Sequence, residues 1–385
     1  SITFSFVLYY MAKKNISLKW RIITFLFLIL NPLNGWFVVR CEKGMLFHLS
    51  LIWVILGIMD IIDQKEEFFN KKWKPILFAF ITLIMLFIRN NGIYGLLLTI
   101  PFLLIACKKY LKQNIILFGT ILAITFIIQG PIFKIFHIEY SRPGEALTVP
   151  MQQYARIAKY DEDRLTGEEK EIIHKYFPVS IEKLSNDYVP WKADSTKANF
   201  SADEFVKDKG TFFKQYFKFA IKYPVQTASS FILNTGENYS PNFNVWGLLR
   251  NFGTETDDGY GTCGKGESKD FDEFIEQYPL KAEKMVNIEF LDKINEELVK
   301  GTIPILTIVI ENIGFYFWLL VLCFAYCVYK KQYKDIVMLL PILGLWVTTI
   351  AAPMVDLRFI YSMFLIMPVY IGIIAKNSRT KYEKR

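Results

Sequence analysis

The chain has 385 residues, 52% of them hydrophobic and 16% aromatic, with a mean hydropathy of +0.25. That is too apolar for an ordinary soluble domain carrying 45 basic and 37 acidic residues, so the excess is expected in lipid. The net charge of +8 does not indicate nucleic acid: the basic residues sit in short segments between apolar runs, as cytoplasmic loops do, and form no phosphate-binding face.

A membrane-crossing helix needs about 20 mostly apolar residues. Reading with that length predicts spans at residues 1–11, 21–39, 44–62, 74–88, 92–107, 114–133, 304–329, 335–355 and 357–375. The first is cut short. Ser1 opens directly into an apolar run with no charged n-region or cleavage site, so the chain reads as a fragment that starts inside a helix rather than on a signal peptide.

Basic residues in short loops orient the spans. If the tail with Lys376, Arg379, Lys381, Lys384 and Arg385 is cytoplasmic, alternation also places Lys13, Lys14, Lys19 and Arg21 inside, with Lys65, Lys71, Lys72 and Lys74. Lys108, Lys109 and Lys112, then Lys330, Lys331 and Lys334, follow on the same side. The opposite short loops and helix ends hold only Arg40, Lys43, Arg89 and Arg358. The expected fold is therefore all-α integral membrane, with about nine transmembrane helices, the first truncated. Six lie in residues 1–133 and three in 304–375, with a basic cytoplasmic tail at 376–385. Between spans six and seven, residues 134–303 form a large, mainly helical extracytoplasmic domain.

Within that insert, helical patterning covers residues 149–158, 167–176, 201–234 and 269–300, and Ser201 with Glu204 is a capping-box candidate. The Gly-rich stretch 251–269 reads as loop, and no alternation is long enough for a sheet. Residues 212–224 mix aromatics with lysines, which fits either an interfacial helix on the outer leaflet or a helix packed on the insert's own core. Tyr188, Trp191, Tyr216, Tyr239, Trp246 and Tyr260 are suited to sugar stacking, but more simply to that core and to the interfacial aromatic belt.

Charged groups at the bilayer centre cost about 2.5 to 3.5 kcal/mol on insertion scales, and the middles of the predicted spans are free of them. Charges and amides collect instead at the outer ends: Arg40, Glu42 and Lys43; Arg89, Asn90 and Asn91; Glu311 and Asn312; Asp356 and Arg358. At one membrane level they would make a cleft for an anionic lipid headgroup, arginines taking phosphate oxygens and a carboxylate serving as general base. The plainer alternative is that helix ends simply carry polar residues, with Asp356 and Arg358 as a local ion pair. His48, a turn below the outer surface, lines the same region as proton carrier or as a hydrogen-bonded packing residue.

His137 and His174 have no metal-spaced partner, and the five cysteines show no paired ligand spacing, although a Cys41–Cys263 disulfide fits the topology. No metal site is assigned. The carboxylates Glu255, Asp257, Asp258, Asp270, Asp272 and Glu273 suit a hard divalent cation, but their order matches no EF-hand loop, and a solvated loop reads the same way.

Four segments carry a resemblance: RNNGIYGLLLTIP from Arg89, ALTVPMQQYARIAKY from Ala146, FKFAIKYPVQTASSFILNTGENYSPN from Phe217 and APMVDLRFIYSMFLIMPV from Ala352. Together they resemble a family of bacterial multi-spanning membrane proteins that is itself similar to the GT-C superfamily of polyprenyl-phosphate-sugar-dependent glycosyltransferases. The resemblance implies inverting transfer of a sugar from a polyprenyl-phosphate donor to a glycan or cell-wall acceptor at the outer face of the bacterial cytoplasmic membrane. It implies Arg89 and Arg358, at RxNG-like and RxxY-like positions, as lipid-phosphate ligands together with Arg40, and Glu42 as the catalytic carboxylate. Asn91, His48, Glu311 and Asp356 would line the site. GT-C enzymes carry their main acid in the first outer loop, which would fall upstream of Ser1. A transporter or flippase for envelope glycans, and a non-catalytic membrane-anchored binding protein, are the competing readings. The first is disfavoured because no broken or charged mid-membrane segment and no repeated halves are found.

Overall fold

The computed structural model describes residues 2–39, 43–138, 144–241, 293, 308–310 and 312–383. The chain divides into two compact units, Ser1–Phe243 with Ile313–Arg385, and Asn244–Asn312. The second lies almost wholly outside the described residues, as do the predicted helix at 269–300, the acidic stretch, Trp246, Tyr260 and both partners of the Cys41–Cys263 pair.

The first unit is all-α. Its first helices are α1 (Ile2–Lys13), α2 (Leu18–Leu30), α3 (Pro32–Val39), α4 (Lys43–Asp63), α5 (Lys65–Asn70), α6 (Trp73–Ile88), α7 (Gly92–Ala106), α8 (Leu111–Ile127) and α9 (Phe133–Ile135). A polar series follows: α10 (Thr148–Tyr160), α11 (Gly167–Tyr176), α12 (Ile181–Asn186), α13 (Asp194–Ala198), α14 (Ala202–Lys207), α15 (Lys209–Lys222) and α16 (Pro224–Thr235). The last three are α17 (Ile313–Tyr329), α18 (Tyr333–Thr349) and α19 (Tyr361–Glu383). Among the described residues there is no β-strand, only two isolated bridges.

Among the described residues two helices are long and apolar enough to cross a membrane, α4 and the continuous Lys108–Ile135, each with a mean hydropathy of 2.2. They differ in burial. The apolar stretch of α4 is 72% buried, that of Lys108–Ile135 only 22%, and α2, α6, α7 and α17 also leave large aliphatic and aromatic side chains exposed.

Local chemistry explains where the helices depart from the expected spans. The predicted helix 21–39 breaks between α2 and α3, because Pro32 disfavours helical backbone at the preceding residue and Asn31 is extended. Asn31 Oδ1 accepts from Leu33 N at 3.0 Å, restarting the helix. In Lys108–Ile135, Pro131 lacks an N–H, and the chain passes through a π turn at Ile128–Ile132. The predicted span 335–355 stops at Thr349, and the last helix begins at Tyr361 after a short 3-10 turn at Leu357–Phe359. The predicted 201–234 helix is three helices, broken at Asp208 and Tyr223. Ser201 caps α14 by accepting from Glu204 N at 3.4 Å, but Glu204 turns to Lys207 rather than back to Ser201. The reciprocal capping box sits instead at Thr166 and Glu169.

Residues 144–241 have their own core around α10: Met151, Tyr154, Ile157, Phe177, Phe212 and Phe219 pack together. Tyr188 and Tyr216 belong to that packing, whereas Trp191 stays partly exposed. These helices are tied to the apolar ones by hydrogen bonds. Ala193 N donates to Pro353 O at 2.8 Å, and Asn238 accepts at Oδ1 from Thr349 Oγ1, 2.8 Å away.

Candidate functional site

The site lies at the end of the apolar helices that carries residues 144–241. Close helix contact creates it: Gly95 of α7 and Gly344 of α18 meet backbone to backbone. A methyl group on Gly344 would fall 2.6 Å from Gly95 Cα, and one on Gly95 would fall 2.6 Å from Pro341 O. Only glycine allows that approach. It brings the turn after α6, which holds Arg89, Asn90 and Asn91, against the end of α18, where Asn91 Nδ2 donates to Thr348 Oγ1 at 3.3 Å. Asn90 Oδ1 accepts from Gln129 Nε2 at 3.2 Å.

Beyond α18, the chain runs through Pro353 and Met354 to Asp356, which caps the 3-10 turn by accepting from Arg358 N at 2.9 Å. The turn points the carbonyl of Arg358 inward, where two donors from distant helices meet it. Arg89 Nη1 donates at 2.7 Å and His48 Nε2 at 3.0 Å. His48 is fully buried, and its Nδ1 accepts from Ser362 N at 3.2 Å. An amide N–H can only donate and a carbonyl only accept, so the two partners impose the neutral, Nε2-protonated ring. Both nitrogens are thereby engaged in holding the start of α19.

The side chains on the same turn carry charge. Arg358 Nε lies 2.9 Å from Asp356 Oδ2, with the carboxylate 11% and the arginine side chain 38% exposed. The guanidinium carbons of Arg89 and Arg358 stand 5.0 and 5.1 Å from the centre of the Phe359 ring, which places them within about 10 Å of one another. Two partly exposed guanidinium groups at that separation can take oxygens of a phosphate or diphosphate between them.

Of the residues singled out from sequence, Arg89, Arg358, Asp356 and His48 come together here, and Asn91 holds the adjoining turn to α18. Arg40, Glu42 and Glu311 lie outside the described residues. Among the described residues no group of three or more His, Cys, Asp and Glu is arranged to hold a metal. Sequence reasoning missed Phe359 and Ser362, whose parts depend on chain crossings that carry no local signal. It also missed Asn34, whose Oδ1 accepts from Tyr361 OH at 2.8 Å and ties α3 to α19.

No curated protein and no solved structure matches this chain. A family model described as a family of unknown function, DUF6020, matches residues 1–223. That match takes in α4, Arg89 and most of the polar helices, and since it covers more than half of the sequence, the chain belongs to the DUF6020 family.

Proposed function

We propose that the protein is a multi-pass protein of the bacterial cytoplasmic membrane that acts as a GT-C-like glycosyltransferase. In this reading it moves a sugar from a polyprenyl-phosphate donor to a cell-envelope acceptor at the outer face. The observation that carries it is the pair of guanidinium groups, Arg89 and Arg358, held over one Phe359 ring at the end of a bundle of apolar helices. Membrane residence with about nine spans is supported by the poorly buried, strongly apolar Lys108–Ile135 helix, since a soluble protein does not leave such a surface in water. The distribution of Lys and Arg supports an outer location for residues 134–303 and a cytoplasmic C-terminus.

In the proposed reaction, Glu42 accepts the proton of the acceptor hydroxyl as its oxygen attacks the anomeric carbon. The bond from that carbon to the phosphate oxygen breaks, and Arg89, Arg358 and Arg40 stabilise the charge gathering on the leaving polyprenyl phosphate. Asp356, already paired with Arg358, favours a second reading, a membrane-anchored binding protein without catalysis.

The test is transfer from radiolabelled polyprenyl-phosphate sugars by the full chain in nanodiscs. Wild type transfers, Arg358→Ala abolishes transfer without changing membrane insertion, and Glu42→Gln lowers turnover while keeping lipid-phosphate binding. Binding without transfer selects the second reading. Neither binding nor transfer overturns both.

A further inference from the structure

Helix α15 has two faces of different character. Phe212 and Phe219 are buried in the core around α10. On the opposite side Phe213, Phe217 and Ile221 recur every fourth residue and so form one line along the helix, with Phe217 59% and Ile221 81% exposed. The line continues onto α16 through Val225, 69% exposed, to Ile232. Beside it run Lys214, Lys218 and Lys222, each following an apolar residue of the line by one position. Lys222 is occupied by Glu169 at 2.7 Å, while Lys214 and Lys218 are exposed. Helix α15 contains four lysines and no acidic residue.

A few residues past the line, the chain itself meets indoles. Just past α16, Asn238 O accepts from Trp346 Nε1 at 2.9 Å and Tyr239 O from Trp318 Nε1 at 2.8 Å. Both tryptophans belong to apolar helices at the end that carries residues 144–241, the level at which interfacial tryptophans gather. An apolar line edged by lysines, on a chain that runs on to tryptophans at such a level, has the composition of a helix that lies in a bilayer interface.

We infer that the exposed face of α15 and α16 docks on the outer leaflet of the membrane in which the protein sits, with Phe213, Phe217, Ile221 and Val225 entering the acyl boundary and Lys214 and Lys218 meeting anionic phospholipid headgroups. This rests on the membrane reading above and adds a second, peripheral attachment that holds residues 144–241 against the bilayer.

The test uses the full chain, carrying the photocrosslinker benzoylphenylalanine at position 217 or at the exposed control position Tyr160, in nanodiscs of phosphatidylglycerol with phosphatidylethanolamine or of phosphatidylcholine alone. In the anionic discs position 217 crosslinks to lipid at least about fivefold more than position 160. The doubly substituted Lys214→Glu, Lys218→Glu chain loses that excess there and shows little difference in phosphatidylcholine. Crosslinks from 217 to residues 244–312, to a second copy, or to nothing overturn the inference while the membrane reading stands. A chain that does not enter nanodiscs at all removes both.

Discussion

Arg89 donates its Nη1 hydrogen to the main-chain oxygen of Arg358 at 2.7 Å, joining two residues 269 positions apart. The same oxygen accepts from His48, so one carbonyl couples α4, the turn after α6 and the entrance to α19. The geometry of both arginines is consequently a property of three chain segments and of no single one.

That coupling predicts the effect of removing His48. In His48→Phe, Ser362 N loses its buried acceptor and Arg358 O one of its donors, each at a cost of about 1 to 3 kcal/mol. His48→Gln can replace only one of the two bonds and should fall between. Thermal unfolding in detergent, read beside lipid-phosphate affinity, checks this. Unchanged stability in His48→Phe would mean the ring does not hold the turn.

The glycine contact between α7 and α18 gives a second expectation. Gly344→Ala drives a methyl into Gly95 Cα and Tyr94 O, with an expected loss of about 1 to 3 kcal/mol as the backbones separate. Gly35→Ala, where no atom lies within 4 Å, should leave stability equal or slightly higher, since alanine suits a helix better than glycine by up to about 1 kcal/mol. Melting temperatures of the two variants that coincide would contradict the packing argument.

Acid should loosen the helices of residues 144–241 through Glu169. Burial alone raises its pKa, but hydrogen bonds from Lys222, from Thr166 N and from Tyr223 outweigh it and hold the carboxyl below its ordinary value. A folded-state pKa below the unfolded one means that the stabilisation is complete above the usual glutamate range, near 4.5, and is lost as pH falls through the lower folded value. Melting curves from neutral pH down to about 3 should show an acid loss that Glu169→Gln diminishes. An identical pH profile in that variant would rule out the linkage.

At the other end of α4, Asp60 ties down the end of α1 and the residue after it, with Lys13 Nζ 3.7 Å away. It accepts from Tyr10 OH at 3.1 Å and faces Lys14 Nζ at 3.4 Å, and the lysine is nearly buried. Asp60→Ala should cost about 2 kcal/mol, the scale of a charge-assisted bond removed from one side. Gln64→Ala, which releases only the exposed contact with Lys13, should stay within about 0.5 kcal/mol. Equal unfolding midpoints for the two would show that Asp60 carries no such load.

Much of the architecture was legible because it is written in local composition. The apolar runs predicted α4, α6 and α7 within a residue or two at either end, since backbone hydrogen bonds closed inside one segment need no distant partner. The helix 167–176 was likewise readable from its own periodicity. The merged helices were not. Pro32, the cap at Asp208 and Pro224 in the first turn of α16 act through single residues, and hydrophobic periodicity runs across such breaks without registering them.

The sequence by itself determined that these segments are helical, that charge is kept out of their apolar middles and that Arg89, His48, Asp356 and Arg358 lie near helix ends. Only the tertiary structure decided that Arg89 and His48 meet the turn that carries Asp356 and Arg358, that His48 has both nitrogens committed, that both guanidinium groups come to the Phe359 ring and that α15 keeps one aromatic face buried and the other exposed. Composition and period act over a few residues, whereas these relationships depend on which helices a pair of glycines allows to touch.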